Sequence, residues 1–405
     1  MKSIFSVPAY PSFFASRVFS SIAVWVDFKL IFSLLSFGFN ATPRTLGLAV
    51  ALYGLPGLFL GPFIGVITDR SSPALVMLLS SSGRFITSIL LAVAPTEQFF
   101  VAAVLLKGIS NLGATPAEQI LIRRILSAEQ IVSTTTLTAI VDQCTKIVSP
   151  LAGAALAFAS NSKAAFLFTA ALALASATCA VRIAKVVGWK SGAGEARTRT
   201  PNFTALWRLL LDKPKFAVSL VSILSLSLTL GLYDSVLVIL LREHGLSASA
   251  FGTIVSSTAA GAITCAVFLK RFLRRLSKFC VMSVSLFGFC LTVITAGVLA
   301  ATYAQIALLP LCALWLMNGF FYAGGVMVYS ISLQNESPRD MLGVLSSTCR
   351  SLQLGALVIG PVVGSWVAQR FGTQWTFIGA GGIGLFIAIA SVMVLPTKFA
   401  RPEVP

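Results

Sequence analysis

Ser149-Pro150-Leu151-Ala152-Gly153 returns 211 residues later as Gly360-Pro361-Val362-Val363-Gly364, with proline and glycine in the same register. The register holds without a gap on both sides. Gly108 meets Gly319, Gly113 meets Gly324, Pro150 meets Pro361, Gly153 meets Gly364, Ala157 meets Ala368 and Phe166 meets Phe377. Glu129 faces Asp340 in the same alignment. Glycine marks close approach of backbones and proline marks a lost helix hydrogen bond, so the repeat is one of architecture. A hydrophobic chain made of two copies of a multi-span unit reads as a membrane transporter with its site between the copies.

Composition carries the same reading. The chain is 57% hydrophobic and 11% charged, with a mean hydropathy of +0.91. A water-soluble exterior needs more charge than that. Apolar runs of about 20 residues, the length that crosses a bilayer as a helix, recur throughout. Twelve are expected, near 13–39, 46–68, 74–94, 98–121, 132–160, 163–187, 215–241, 248–270, 278–301, 303–333, 342–369 and 373–396. Backbone groups in lipid must be satisfied within the segment, so each is expected to be a helix. The fold class is thus all-α, with twelve transmembrane helices in two pseudo-symmetric six-helix bundles.

A net charge of +17 suggests nucleic acid, but its distribution does not. With the N-terminus inside, most Lys and Arg fall in cytoplasmic segments, while Arg44, Lys163, Arg242 and Arg370 fall outside. That positive-inside bias places both termini in the cytoplasm of a multi-pass protein, here expected in the inner membrane. Lys270, Arg271, Arg274, Arg275 and Lys278 then crowd the loop between spans 8 and 9, where they orient the chain and attract anionic lipid. The apolar stretch after Arg17 outruns a signal-peptide core and reads as span 1.

Seven cysteines, an odd number, all fall in or beside spans, with no CxxC pair and no Cys/His cluster. No metal and no cofactor is therefore expected. The one histidine, His244, falls in an external loop, and no nucleophile-base set stands out, so the chain does not read as an enzyme. The longest polar stretch, 188–214, separates an N-terminal bundle at 1–187 from a C-terminal one at 215–405. Its Gly188-Trp189-Lys190-Ser191-Gly192 start reads as a flexible linker, and Leu206, Trp207 and Leu210 suggest a short interfacial helix.

Between spans 2 and 3 stands Gly61-Pro62-Phe63-Ile64-Gly65-Val66-Ile67-Thr68-Asp69-Arg70. It resembles the loop motif of the major facilitator superfamily, although Ser71-Ser72-Pro73-Ala74 replaces the usual trailing basic cluster. The resemblance implies that Gly65, Asp69 and Arg70 are gating residues, with the Asp69 carboxylate facing the positive end of a neighbouring helix. Pro150, Gly153, Pro361 and Gly364 resemble the Gly-Pro-x-x-Gly element of antiporters in that superfamily and are expected to let helices bend and pack during rocking. Arg17, Val26-Asp27, Arg84, Pro116-Ala117-Glu118-Gln119 and Leu126-Ser127-Ala128-Glu129-Gln130 resemble the drug:proton antiporter branch. That branch holds macrolide-efflux, enterobactin-exporter and lysophospholipid-transporter proteins. Here Val26 stands where a glycine is usual, and Ser81 where an acid precedes Arg84 by three residues.

Charges inside the spans carry the mechanism. Each costs about 2.5–3.5 kcal/mol at mid-membrane on insertion scales, so each is expected to face a partner or a cavity. Asp27, Asp234 and Asp142 are the proton-coupling candidates, since burial and nearby cations move a carboxylate between charge states. Asp234 takes a place in span 7 comparable to that of Asp27 in span 1, and Asp142 can pair with Lys146 one turn away. Glu118 is expected near Arg123 or Arg124. Lys29, Arg84, Lys107, Lys146, Tyr322 and Arg350 are the substrate-binding candidates, and an excess of bases favours an anionic or zwitterionic substrate. The expected function is export of a small molecule, a siderophore or drug-like compound, by a monomeric proton antiporter that contacts membrane lipids. The alternative is a lysophospholipid or other amphiphile transporter.

Overall fold

The structure, a computed structural model, describes residues 4–35, 39, 43–189, 214–246, 248–338 and 341–394. Side chains of Lys29 and of residues 149–162 are among those for which only backbone is described. Beyond a short 3-10 turn at Ile4–Ser6, twelve helices follow one another among the described residues. They are α1 (Tyr10–Ser33), α2 (Pro43–Arg70), α3 (Pro73–Ala92), α4 (Glu97–Ser110), α5 (Ala114–Ile125) and α6 (Ala128–Val187). The others are α7 (Pro214–Glu243), α8 (Ala248–Arg275), α9 (Lys278–Thr302), α10 (Leu308–Glu336), α11 (Leu342–Phe371) and α12 (Thr373–Val394). Ten stretches among the described residues are long and apolar enough to cross a membrane. Of the linker expected at 188–214, residues 190–213, with the expected interfacial helix, lie outside the described residues.

Local chemistry sets the helix ends. Thr96 and Ser277 cap α4 and α9 by accepting from the Phe99 and Cys280 amides, and Ser127 forms a capping box with Gln130 at the start of α6. Gly188 and Gly372, at φ +95° and +99°, stop α6 and α11 in a left-handed conformation that a side chain would strain.

Two differences from the expected spans have physical causes. The fourth span is interrupted. Turn residues 111–113 divide α4 from α5, and Ser110 Oγ donates to the Lys107 carbonyl at 2.8 Å. The Asn111 and Leu112 amides close tight turns onto Gly108 and Ile109, so the break leaves these backbone groups bonded. The fifth and sixth spans share one helical assignment in α6. A straight helix would hold Ile131 and Ala180 about 70 Å apart, yet both belong to one core cluster. The chain therefore doubles back between them.

The helices gather into two compact units. One holds Met1–Thr134, Cys144–Asn202 and Ser337–Ser351; the other holds Thr135–Gln143, Phe203–Glu336 and Leu352–Pro405. In the first unit, Tyr10, Phe13, Met77, Leu121 and Ile183 form one buried cluster, and Val26, Leu30, Leu91, Phe100 and Phe166 form another. Serines and threonines are buried throughout, while Leu309, Phe386 and Met393 are exposed. That inversion of soluble-protein order suits a chain whose solvent is lipid.

The sequence repeat is a structural one. In the first unit, a methyl at Gly108 would lie 2.5 Å from the Tyr53 carbonyl oxygen, so α4 touches α2 backbone to backbone. In the second, a methyl at Gly319 would lie 2.9 Å from Thr258 Cα, and α10 touches α8 in the same way. Gly113 abuts Ser80 of α3, and Gly324 abuts Ser285 of α9. Gly360 and Gly364 bring α11 against Gly231 and Leu232 of α7.

Candidate functional site

The first unit buries an ion pair completely. Lys107 Nζ lies 2.5 Å from Asp27 Oδ2, and neither side chain has any exposure. The ammonium also donates to Ser88 Oγ at 2.6 Å and to the Arg84 carbonyl at 3.1 Å. Three acceptors thus receive its three protons. Thr169 donates to Asp27 Oδ1 at 2.5 Å and Ser88 donates to Oδ2 at 3.2 Å. Removing two charges from water is costly, and a buried pair holds only when its remaining donors and acceptors are satisfied. Here α1 supplies the acid, α4 the base, and α3 and α6 the hydroxyls.

Arg84, one turn before Ser88, is 4% exposed. Its Nη2 donates to Ser81 Oγ at 3.0 Å, a neutral partner at the position where the resembling branch has an acid. Its Nε has no hydrogen-bond partner among the described residues. Ser81 meets Ser176 at 3.0 Å, and Ser176 meets Ser16 and Ser20 at 2.9 Å, extending the polar core along α1, α3 and α6. Arg17 bridges Glu118 at 2.9 Å, and Arg123 donates to the Ser337 carbonyl. At the turn between α4 and α5, Asn111 Nδ2 donates to the Tyr53 hydroxyl at 3.1 Å.

The second unit repeats this site without charge. Asn318 stands in the register position of Lys107. Its Oδ1 accepts from Tyr233 OH at 3.3 Å, and its Nδ2 donates to Thr292 at 2.9 Å. Tyr233 of α7 thus makes the contact that Asp27 makes in α1, and Thr292 of α9 takes the place of Ser88 in α3. Asp234, the next residue, is exposed. Rings of Phe289, Phe377 and Tyr322 fill the surroundings, with Tyr233–Phe377 centroids 5.2 Å apart and Phe289–Tyr322 centroids 5.4 Å apart.

At the end of α2, Asp69 caps α11. Its Oδ1 accepts from the Gly343 amide at 2.7 Å and its Oδ2 from the Val344 amide at 2.8 Å. A carboxylate there satisfies two orphan donors and meets the positive end of the helix. Gly65 allows it: a methyl would lie 2.6 Å from the Gly343 carbonyl oxygen. Ser351 donates to the Gly57 carbonyl at 2.7 Å one level further along the same contact.

The remaining candidates are dispersed. Lys146, half-buried, lies over the Trp25 ring at 4.9 Å, and Asp142 is half-buried. Tyr322 is half-buried, Arg350 is exposed, and Arg70 ends α2. Pro361 lies within α11 between its two packing glycines. The side chains of Lys29 and Pro150, with Gly153, fall outside the described set. Sequence reasoning missed Ser88, Thr169, Ser176, Tyr233 and Asn318. Of these, Asn318 alone had a signal, its register with Lys107.

Comparison with known proteins agrees with this architecture. Over 395 residues, the chain is 24% identical to an uncharacterized MFS-type transporter, YfiS, of Bacillus subtilis (strain 168), covering 96% of this chain and 93% of that one. The human organic anion transporter MFSD10 (TETRAN) superposes with a TM-score of 0.73 at 17% identity, covering 96% of this chain and 100% of that one. A bacterial homologue of the iron transporter ferroportin, in an outward-facing state with soaked iron, gives 0.77 at 15% identity, covering 94% and 98%. Residues 12–239 and again 220–405 match the family model of the Major Facilitator Superfamily. With one match to each half of a twelve-helix, internally repeated chain, this multi-pass membrane protein belongs to the Major Facilitator Superfamily of transporters.

Proposed function

We propose that the protein exports a small organic molecule, preferentially an anion, in exchange for protons, with the Asp27–Lys107 bridge as the coupling element. The observation that carries this is the complete burial of that bridge. A proton on Asp27 cancels its attraction for Lys107 and leaves a cation buried without its counter-ion. Breaking such a pair costs about 3–5 kcal/mol, enough to drive a change of conformation. Proton binding and rearrangement are then one event, as exchange transport requires.

Anion preference has separate support. Arg84 adds a buried cation beside the neutral pair, and the human protein of like fold is named an organic anion transporter. The antiporter assignment draws on the Gly360-Pro361 element and on the resemblance of Arg17, Asp27 and Arg84 to the drug:proton antiporter branch. Asp69 joins α2, in the first family match, to α11, in the second, and is the proposed latch of one conformation.

Comparative profiling of medium from cells with and without the protein identifies the exported compound. Proteoliposomes should then move that compound against its gradient only under an imposed pH difference. Equal transport with the pH difference collapsed removes the antiport reading.

A further inference from the structure

The C-terminal end of α8 carries a basic cluster to which the proposed function gives no role. Val267, Lys270, Arg271, Arg274 and Arg275 line one open concavity of about 490 Å³. Their spacing of i, i+3, i+4, i+7 and i+8 puts all five on a single helical stripe. Arg271, Arg274 and Arg275 are exposed, and among the described residues no hydrogen bond or ion pair engages their side chains. A positive-inside signal needs only charge near the membrane. It does not need guanidinium groups gathered around a hollow.

Apolar neighbours fix the depth of this stripe. Val267 is 60% exposed and Phe268 42% exposed one turn before the arginines, and Leu276 is 41% exposed just after them. The helix therefore passes from a lipid-facing surface directly into the cationic one. Arg274 and Arg275 occupy its last turn, where cations complement the negative helix end. The turn into α9 is short and braced. The Leu276 amide bonds the Phe272 carbonyl, and Ser277 accepts from the Cys280 amide at 3.2 Å. Lys278, at the start of α9, lies 4.0 Å from Glu336.

We propose that this concavity binds the headgroup of an anionic phospholipid of the cytoplasmic leaflet, with the acyl chains lying along Val267 and Phe268. Guanidinium forks match phosphate oxygens two at a time, and the exposed apolar strip is where acyl chains lie. A soluble phosphate would use the forks but gain nothing from that strip.

Purified, delipidated protein is titrated with phosphatidylglycerol, phosphatidylcholine or inorganic phosphate, and bound molecules are counted by native mass spectrometry. Phosphatidylglycerol should bind at least about tenfold more tightly than phosphatidylcholine, since each basic residue near an anionic surface contributes about fivefold. The R271Q/R274Q/R275Q variant should lose that preference, and millimolar inorganic phosphate should not displace the lipid. An unchanged preference in the variant, or none in the parent, overturns the site. Displacement by inorganic phosphate overturns the lipid as its occupant. Should the triple variant fail to insert, R274Q alone must weaken phosphatidylglycerol binding about fivefold, and an unchanged affinity also overturns the proposal.

Discussion

Lys107 and Asn318, 211 residues apart in register, make the same contact in two chemistries. Lys107 bridges the acid of α1 at 2.5 Å, whereas Asn318 accepts from the phenol of α7 at 3.3 Å. Each also bonds a hydroxyl of the third helix of its half, Ser88 or Thr292. Duplication has kept the hydrogen-bond geometry and confined the charge to one copy. A proton can change the electrostatics of the first site and has little to act on in the second.

That contrast predicts unequal penalties. Lys107→Met leaves a buried carboxylate without its cation and should cost about 3–5 kcal/mol. Asn318→Leu removes neutral hydrogen bonds and should cost about 1–3 kcal/mol. Thermal unfolding in detergent compares the two. Adding Asp27→Asn to Lys107→Met should recover about 1–3 kcal/mol, the non-additivity of a coupled pair.

The packing glycines predict matched effects in both halves. Gly108→Ala meets the Tyr53 carbonyl and Gly319→Ala meets Thr258, so each should destabilise by about 1–3 kcal/mol. At Gly54, in α2, an added methyl would have nothing within 4 Å. Gly54→Ala should leave unfolding unchanged or raise stability by up to about 1 kcal/mol through helix propensity.

Asp69→Ala removes two charge-assisted hydrogen bonds at the start of α11 and should cost about 1–2 kcal/mol. Gly65→Val forces the same two segments apart. The double variant should lose little beyond the worse single variant, since both disrupt one contact. Full additivity in thermal unfolding would mean that the two residues act separately.

Much of the fold was legible because lipid imposes a simple rule: long apolar runs must be helices. The matched glycines at 108, 113, 319 and 324 also marked real close contacts. The break at 111–113 was hidden, since Gly108 and Gly113 have the same signature as packing glycines in an unbroken span. Charged residues in the site were visible, but their pairing was not. Asp27 and Lys107 meet across two helices, and no periodicity along one helix shows which face another presents. The partners Ser88 and Thr169 were lost among many small hydroxyl residues that pack span against span. Tyr233 was overlooked for its neighbour Asp234, one residue and about 100° around the helix away.

If Asp27 couples proton movement to transport, its neutral isostere must separate the two. Asp27→Asn is reconstituted in proteoliposomes with the compound identified by profiling. Accumulation under an imposed pH gradient is compared with exchange of that compound at equal pH. Asp27→Asn should abolish gradient-driven accumulation while exchange persists, because the bridge no longer responds to a proton but the pathway remains. Full gradient-driven accumulation by Asp27→Asn would exclude Asp27 as the coupling group.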